Sequence, residues 1–577
     1  MGTKNLQIPK QNSRFLSRTY RQALIPGILS LLSGNLTLMV DGLIVGQCLG
    51  SNGLSAVNLC MPIYLTICIF GAWIVSGTAI HAAKEMGAGH TSKGNWYCHI
   101  AQSFSGIAAV ILTVLGFLLL KPIVRLLCSD EALVPMVYAY AWTAVISAPP
   151  KLLIYIPFWY LRLEGKNRSI TVMMAILGFG NVALDLWFML GLDLGIWGAG
   201  MASFAAYAAA VSYGMYCLFC KGKNFTVGVA LPKNWKQLQS IISTGSPSAT
   251  HNLFQALRVL TINALMMHYG GTLAVATFTA VTGIGYFSEC ILAGVPQAAS
   301  AMLGSFVGDG DTGSIRLIIR HQIKVGLIMD AVFGLLIVAG SSLISAAYGL
   351  YVPFLIPMLC LALSIFPGLI CTVITSYYNT IGMNHWANLI VFNRVFFFPA
   401  LFLLLCIETS LPVWLFLPAG ELVTILLWLV AFGFLYRKDS QRSPLLRLPQ
   451  VNPDEVISSS MEGAAEQICS LSEGMLEFCR NRGMDSKTAM KLSLTIEELL
   501  VLISEENASR TLFCDLRMRV GASSAILTLR YSGIDYNPLS FTQDEDDRFL
   551  GIRMLDKMAK RLEYQNISGM NVLRITL

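Results

Sequence analysis

The sequence predicts an α-helical polytopic membrane protein: twelve transmembrane helices in two six-helix lobes, followed by a C-terminal cytoplasmic α/β sandwich. Three observations lead there. Of the 577 residues, 55% are hydrophobic and only 13% charged, against about 25% charged in an ordinary soluble protein. The apolar residues gather in runs of roughly 20 or more, the length a helix needs to cross a bilayer. The composition then turns polar after Phe434, where YRKDSQRSPLLRLPQVNPDE reads as an interdomain linker.

The apolar runs lie near 22–48, 54–80, 98–120, 134–160, 168–192, 196–219, 238–268, 273–303, 322–346, 353–378, 386–408 and 412–436. Segment 1–21 is polar and basic and leads straight into the first run, without the pattern of a cleavable signal. With that segment inside, the inner loops hold Lys84 and Lys93, then Arg162, Lys166 and Arg168, then Lys221, Lys223, Lys233 and Lys236, then Arg316 and Arg320. The outer loops offer little beyond Lys121 and Arg125. This bias orients the chain in a bacterial cytoplasmic membrane with both termini in the cytoplasm. It also accounts for the net charge of +7, so no nucleic-acid partner is expected. The 14 cysteines are scattered, mostly within spans, and read as free thiols. Cys217 and Cys220 form a lone CxxC without a second pair or a neighbouring histidine, which gives no metal or redox site.

The two halves of the membrane region look alike. Gly50 and Gly270 each close a run at an outer turn, and the runs that follow end in MGAGHTSKG and VGDGDTGS. A repeat of six spans predicts an N-lobe at 22–220 and a C-lobe at 238–437, joined by a cytoplasmic linker at 221–237. Transporters built from such repeats bind at the lobe interface and rock between two open states.

Within the fifth run, GFGNVALDLWFML puts Asn181 and Asp185 four residues apart, on one face of a helix. A carboxylate at that depth costs about 2.5–3.5 kcal/mol on insertion scales and marks a functional site by default. At about 1.5 Å per residue, Asp41 on the first run and Ser203 on the sixth fall at a similar depth in the outer half. Two acids, an amide and a hydroxyl at one level offer oxygen ligands for Na⁺. Two neighbouring carboxylates also raise each other's proton affinity, which suits H⁺. Asp41, Asn181, Asp185 and Ser203 are therefore the candidate cation-coupling site, the first three being candidate ligands for Na⁺. In the C-lobe, Glu289 lies mid-span and is the candidate contact for a cationic substrate, with neutralisation by Arg258 as the equal alternative. Asp330 and Arg394 share a depth and read as a structural ion pair.

PGILSLLSGNLTLMVDGLIVGQCLG resembles the first helix of multidrug and toxic compound extrusion (MATE) transporters. LRLEGKNRSITVMMAILGFGNVALDLWFMLGLDLGIWGAGMASF resembles their helix four–six region. The resemblance covers about 20–437 and implies antiport of amphipathic organic cations driven by H⁺ or Na⁺. It also implies that Asp41, Asn181 and Asp185 stand at the family's N-lobe cation site, with Ser203 where a Thr is usual.

After a linker at 438–452, residues 453–577 read as a soluble domain. Helices are expected near 458–482, 486–505 and 548–560, with strands at TLFCDLRMRV, AILTLRYSG, RLEYQNI and NVLRITL. LSLTIEELLVLISEENA resembles the N-box helix of anti-sigma-factor serine kinases, members of the GHKL ATPase fold. Glu498 of that motif is present, but Leu502 stands where an Mg²⁺-binding Asn belongs. Tyr531 replaces the adenine-reading Asp in the motif that keeps Gly533, and the last Gly-rich motif survives mainly as Gly551. A phosphate cradle needs its glycines and a metal its amide ligand. The resemblance thus implies a degenerate GHKL domain without kinase activity, a regulatory or binding module for a cytoplasmic protein.

The whole reading is an efflux transporter, not an enzyme, exchanging H⁺ or Na⁺ for small organic compounds across the lipid bilayer, with no cofactor besides the coupling ion. The alternatives are a flippase of related fold acting on lipid or lipid-linked substrates, and a ligand-sensing membrane receptor that signals through the soluble domain.

Overall fold

The computed structural model describes residues 13–435, apart from 128–130, 132, 223 and 348–352. It also describes 445–577, apart from 449–454, 463–464, 508–511, 521–524, 541–553, 556–557 and 568. The membrane region consists of α1 (Ser13–Gly87), α2 (Thr91–Leu118), α3 (Leu120–Leu127), α4 (Val134–Ile146), α5 (Ala148–Leu153), α6 (Tyr155–Leu163), α7 (Asn167–Asp185) and α8 (Gly195–Met215). It continues with α9 (Trp235–Gly308), α10 (Thr312–Ala339), α11 (Ser341–Ala347), α12 (Leu355–Ile381), α13 (Asn384–Phe392), α14 (Phe398–Glu408) and α15 (Phe416–Leu435).

Among the described residues nine helices are long and apolar enough to cross a membrane, or ten if α4 and the Ala148–Leu163 stretch form one span bent by 49°. That bend falls at Pro149 and Pro150, whose rings cannot continue the helical ladder. The predicted runs at 22–48 and 238–268 lie in the first stretches of α1 and α9, where some side chains are outside the described set.

Neither long helix is straight. Laid out, the 75 residues of α1 would reach about 110 Å, several times the hydrocarbon thickness. Yet the Tyr20 hydroxyl donates to the Val295 carbonyl at 3.1 Å, while Gly87 abuts Ser305, about 15 Å further along α9. Both ends of α1 therefore meet the same end of α9, and α1 doubles back. By the same reasoning so does α9, since Ile241 lies against Gly77 and Gly308 against Lys84.

The two matched sequence segments fold alike. After α1, the amides of Ala88, Gly89 and His90 donate to Lys84, Met86 and Glu85. After α9, those of Asp309, Gly310 and Asp311 donate to Ser305, Val307 and Phe306. Gly89 and Gly310 hold the left-handed position, at φ 86° and 65°, which glycine takes without steric cost. Asp311 then caps α10, accepting from the Ser314 amide at 3.1 Å and its hydroxyl at 2.6 Å. The cap starts this helix at Thr312, ten residues before the apolar run predicted at 322–346.

The C-terminal domain is a five-stranded antiparallel sheet with order β1-β2-β3-β5-β4. Its strands are β1 (Val456–Glu462), β2 (Phe513–Val520), β3 (Ala525–Tyr531), β4 (Arg561–Ile567) and β5 (Met570–Thr576), and its helices α16 (Ala465–Asn481) and α17 (Ser486–Glu506). Leu516, Met518, Leu527, Leu529, Leu573 and Ile575 join the two helices in one hydrophobic core. The alternate side chains, including Arg517, Arg530, Gln565 and Arg574, contact the membrane region. The first residues of the helix predicted at 458–482 are instead β1. Its short serine run pairs with β2, and the period-2 pattern, not the helical one, decides its conformation. The helix predicted near 548–560 falls largely outside the described residues.

Candidate binding sites in the membrane region

The first polar centre is on α7. The Asn181 side-chain amide donates to Asp185 Oδ2 at 2.9 Å, and both residues are almost fully buried. One helical turn separates them, so the helix itself makes the pair. Asn181 Oδ1 is buried without a hydrogen-bond partner among the described residues. Immediately after Asp185 the helix widens into a π segment, Leu186–Gly191, a distortion that often accompanies functional sites. Ser203 is buried on α8, which packs against α7. Among the described residues no hydrogen bond joins it to the pair. The side chain of Asp41 lies outside the described residues, but the next turn of its helix is placed. Ile44 and Val45 cluster with Met189 and Ala199, and Val182 packs against them.

The second polar centre unites three distant stretches. Arg394, on a π segment (Asn393–Phe397) that follows α13, grips Glu421 of α15 through Nε at 2.8 and 2.9 Å. Its Nη2 reaches Glu289 of α9 at 3.3 Å. A pocket lies over this triad, with Arg258, Gln255 and Ser364 also in its wall among apolar residues. Arg258 Nε is buried without a hydrogen-bond partner among the described residues.

One expectation changes here. Arg394 pairs with Glu421 and Glu289, not with Asp330, while Arg258 lines the same pocket as Glu289. Asp330 is buried on α10 between Gly326, packed on Leu369, and Gly334, packed on Ala362. Neither of its carboxylate oxygens has a hydrogen-bond partner among the described residues. Depth alone matched Asp330 to Arg394. The direction each helix faces separates them.

In the C-terminal domain, Leu502 is buried at the position where the GHKL resemblance calls for a metal-binding amide, and Glu498 is one turn before it. Tyr531 is sealed, its hydroxyl donating to the Tyr536 carbonyl at 2.5 Å. Gly533, at φ 118°, lies against Asn507, whose Oδ1 accepts from the Ile534 amide at 3.0 Å. Gly551 lies outside the described residues. Among the described residues no group of three or more His, Cys, Asp or Glu is placed to hold a metal ion.

A bundle of nine or ten membrane-capable helices among the described residues, with buried charged centres, is the architecture of a polytopic membrane protein. The family model MatE matches residues 26–187. Among characterised proteins, the chain is 26% identical to the FAD transporter of Shewanella oneidensis, over 49% of this chain and 61% of that one. It is 22% identical to the probable multidrug resistance protein YoeA of Bacillus subtilis, over 57% of this chain and 72% of that one. Among solved structures, an outward-facing multidrug resistance MATE family transporter of the MOP superfamily superposes with a TM-score of 0.67 at 19% identity, covering 74% of this chain and 96% of that one. A MOP superfamily transporter from Pyrococcus furiosus, described as having a binding pocket of reverse polarity, gives 0.66 at 19% identity and the same coverage. The membrane region thus shares the fold of these MATE transporter structures, and residues 26–187 match the MatE family model.

Proposed function

We propose that the chain is a secondary active exporter that exchanges H⁺ or Na⁺ for small organic compounds by rocking two lobes, 22–220 and 238–437, of six helices each. The domain-bearing end faces the cytoplasm of a bacterial cell, in keeping with the basic inner loops. The observation that carries this reading is the buried Asn181–Asp185 pair in a membrane helix. An amide donor orients the carboxylate and does not by itself cancel its charge, which suits binding of a proton or a cation. Asp41 and Ser203 complete the coupling site in this reading. The packing of Val182 and Met189 around Val45, one turn beyond Asp41, supports it. Ion binding from outside then favours substrate release, and the ion is shed after the lobes rock.

The second centre favours a particular substrate class. Both of its acids already bond Arg394, so a simple cation would have to compete with a buried guanidinium for Glu289. A compound with an apolar body and an anionic group fits better, its anion meeting Arg258 and its body the apolar wall. The relative named an FAD transporter is consistent with that preference. The C-terminal domain is proposed to be a degenerate GHKL module, in keeping with its sealed Tyr531 and buried Leu502, serving regulation or partner binding.

Proteoliposomes with imposed pH or Na⁺ gradients test the proposal. Asp185→Asn and Asp41→Asn should each abolish gradient-driven export while leaving a folded protein. Wild-type export in both variants would remove these acids from the mechanism. Arg258→Ala should weaken transport of anionic dyes more than of cationic ones, and the reverse order would restore the cationic reading.

A further inference from the structure

The C-terminal domain joins both halves of the membrane region at one end. On the first half, the Met86 carbonyl accepts from Gln565, the Gly87 carbonyl from Arg574 at 3.1 Å and the Gly89 carbonyl from Arg561 at 2.9 Å. On the second half, the carbonyls of Asp309 and Gly310 each accept from Arg517 at 3.0 Å. Arg530 pairs with Asp309 at 2.8 Å and Asp311 at 2.5 Å, its guanidinium over the Phe306 ring. These partners are the C-terminal ends of α1 and α9, where helix carbonyls lack intrahelical donors and a cation is favoured. The sheet thus caps two helix ends at once, one from each half. Arg574 touches both, at Gly87 and, at 3.5 Å, Asp309 Oδ1.

The halves are closed at this same end. Gly77 abuts the Ile241 carbonyl, Gly245 the Trp73 carbonyl, Gly87 Ser305, and Gly308 the Lys84 carbonyl. Such backbone approach is possible only with small residues. The Trp73 indole donates to Ile242 at 2.7 Å, and His81 lies 3.2 Å from the hydroxyls of both Ser240 and Thr244.

We propose that the docked C-terminal domain is a clamp that holds the transporter closed at this end, and that export requires its release. The inference rests on the reading of the membrane region as an alternating-access transporter. To open here, the ends of α1 and α9 must part. A sheet whose β3, β5 and β4 are continuously paired cannot follow both. Parting would strip Arg530 from Asp309 and Asp311, leaving it with Asp515 of its own domain, or the arginines of β4 and β5 from the α1 carbonyls, leaving buried polar groups with fewer partners. Undocking breaks the same contacts but releases both partners into water, where they are solvated instead of stranded in a half-parted interface.

The test uses the full chain, with spin labels on unnatural residues at Lys93 and Arg320, since the 14 cysteines are native. Both positions lie near this end, one on each half. Wild type should give a single distance. Asp309→Asn/Asp311→Asn, and separately Arg574→Ala, should each add a longer-distance population. Arg574→Ala removes only the bridging side chain, so it decides if the double variant misfolds. A single wild-type distance in a folded variant would overturn the clamp. The readout needs no substrate, so its failure is distinguishable from a failure of the transport reading, which the gradient assays report.

Discussion

The two polar centres of the membrane region hold their acids by different means. In the first half, Asp185 takes a hydrogen bond from an amide one turn away on its own helix. In the second, Glu289 and Glu421 take theirs from one guanidinium carried on a third stretch of chain. An amide orients a carboxylate and leaves its charge in place. A guanidinium also neutralises it, and ties three helices together in doing so. The first arrangement suits an ion that comes and goes, the second a permanent wall of a cavity. Both sit at π segments, Leu186–Gly191 and Asn393–Phe397. The halves share the distortion and differ in the charge placed beside it.

The largest effect expected from this contrast is on folding. Arg394→Met would strand two carboxylates in buried surroundings, and breaking a buried pair from one side costs about 3–5 kcal/mol. Chemical unfolding in detergent should show a loss of that order. Asp185→Asn should instead keep stability within about 1 kcal/mol, because an amide can still accept from Asn181, while gradient-driven export falls at least tenfold. Equal destabilisation by both variants would erase the distinction between a wall and a coupling site.

The contrast explains what the sequence could reveal. Asn181 and Asp185 were legible because one turn of one helix fixes their relation. Arg394, Glu421 and Glu289 were each visible as intramembrane charges, but their meeting depends on the facing of three helices, and hydropathy supplies depth without facing. The false pairing of Arg394 with Asp330 came from that missing coordinate. The domain fold was partly legible for the same local reason. Alternation marked β2 to β5, while the serines of VISSSME masked β1. Docking was the least visible feature. Its signal lies in arginines on the strand face opposite the core, Arg517, Arg530 and Arg574, together with the acidic turn Asp309–Asp311. An exposed charged face is the ordinary reading of such a pattern.

A smaller effect follows from acidity at that turn. Burial raises the proton affinity of Asp311, but Arg530 and Arg517 overcome it and hold the carboxyl at about 2. An unfolded Asp titrates near 3.9. A depressed value stabilises the docked state above about pH 4, and the contribution is lost as pH falls toward 2. Acidification from pH 7 to 5 should leave the distance between labels at Lys93 and Arg320 unchanged, and further acidification below 4 should lengthen it. Lengthening already at pH 5 would move control of docking away from Asp311.

The smallest predicted effect separates the two matched turns. Gly89 and Gly310 share the left-handed conformation, so alanine at either costs roughly 1 kcal/mol in backbone strain. Their surroundings differ. A Cβ at Gly310 meets nothing within 4 Å, whereas at Gly89 it runs into the Glu563 carboxylate, which Arg561 binds. Gly310→Ala should therefore strain its turn and leave docking intact. Gly89→Ala should strain the turn and also displace Glu563, loosening β4 from the first half. Hydrogen exchange of the 561–567 segment in the full chain would register the difference, rising in Gly89→Ala and staying at the wild-type rate in Gly310→Ala. Equal exchange in the two variants would mean that the sheet edge at Glu563 does not depend on the turn it touches, and that the grip on the first half comes from Arg574 and Gln565.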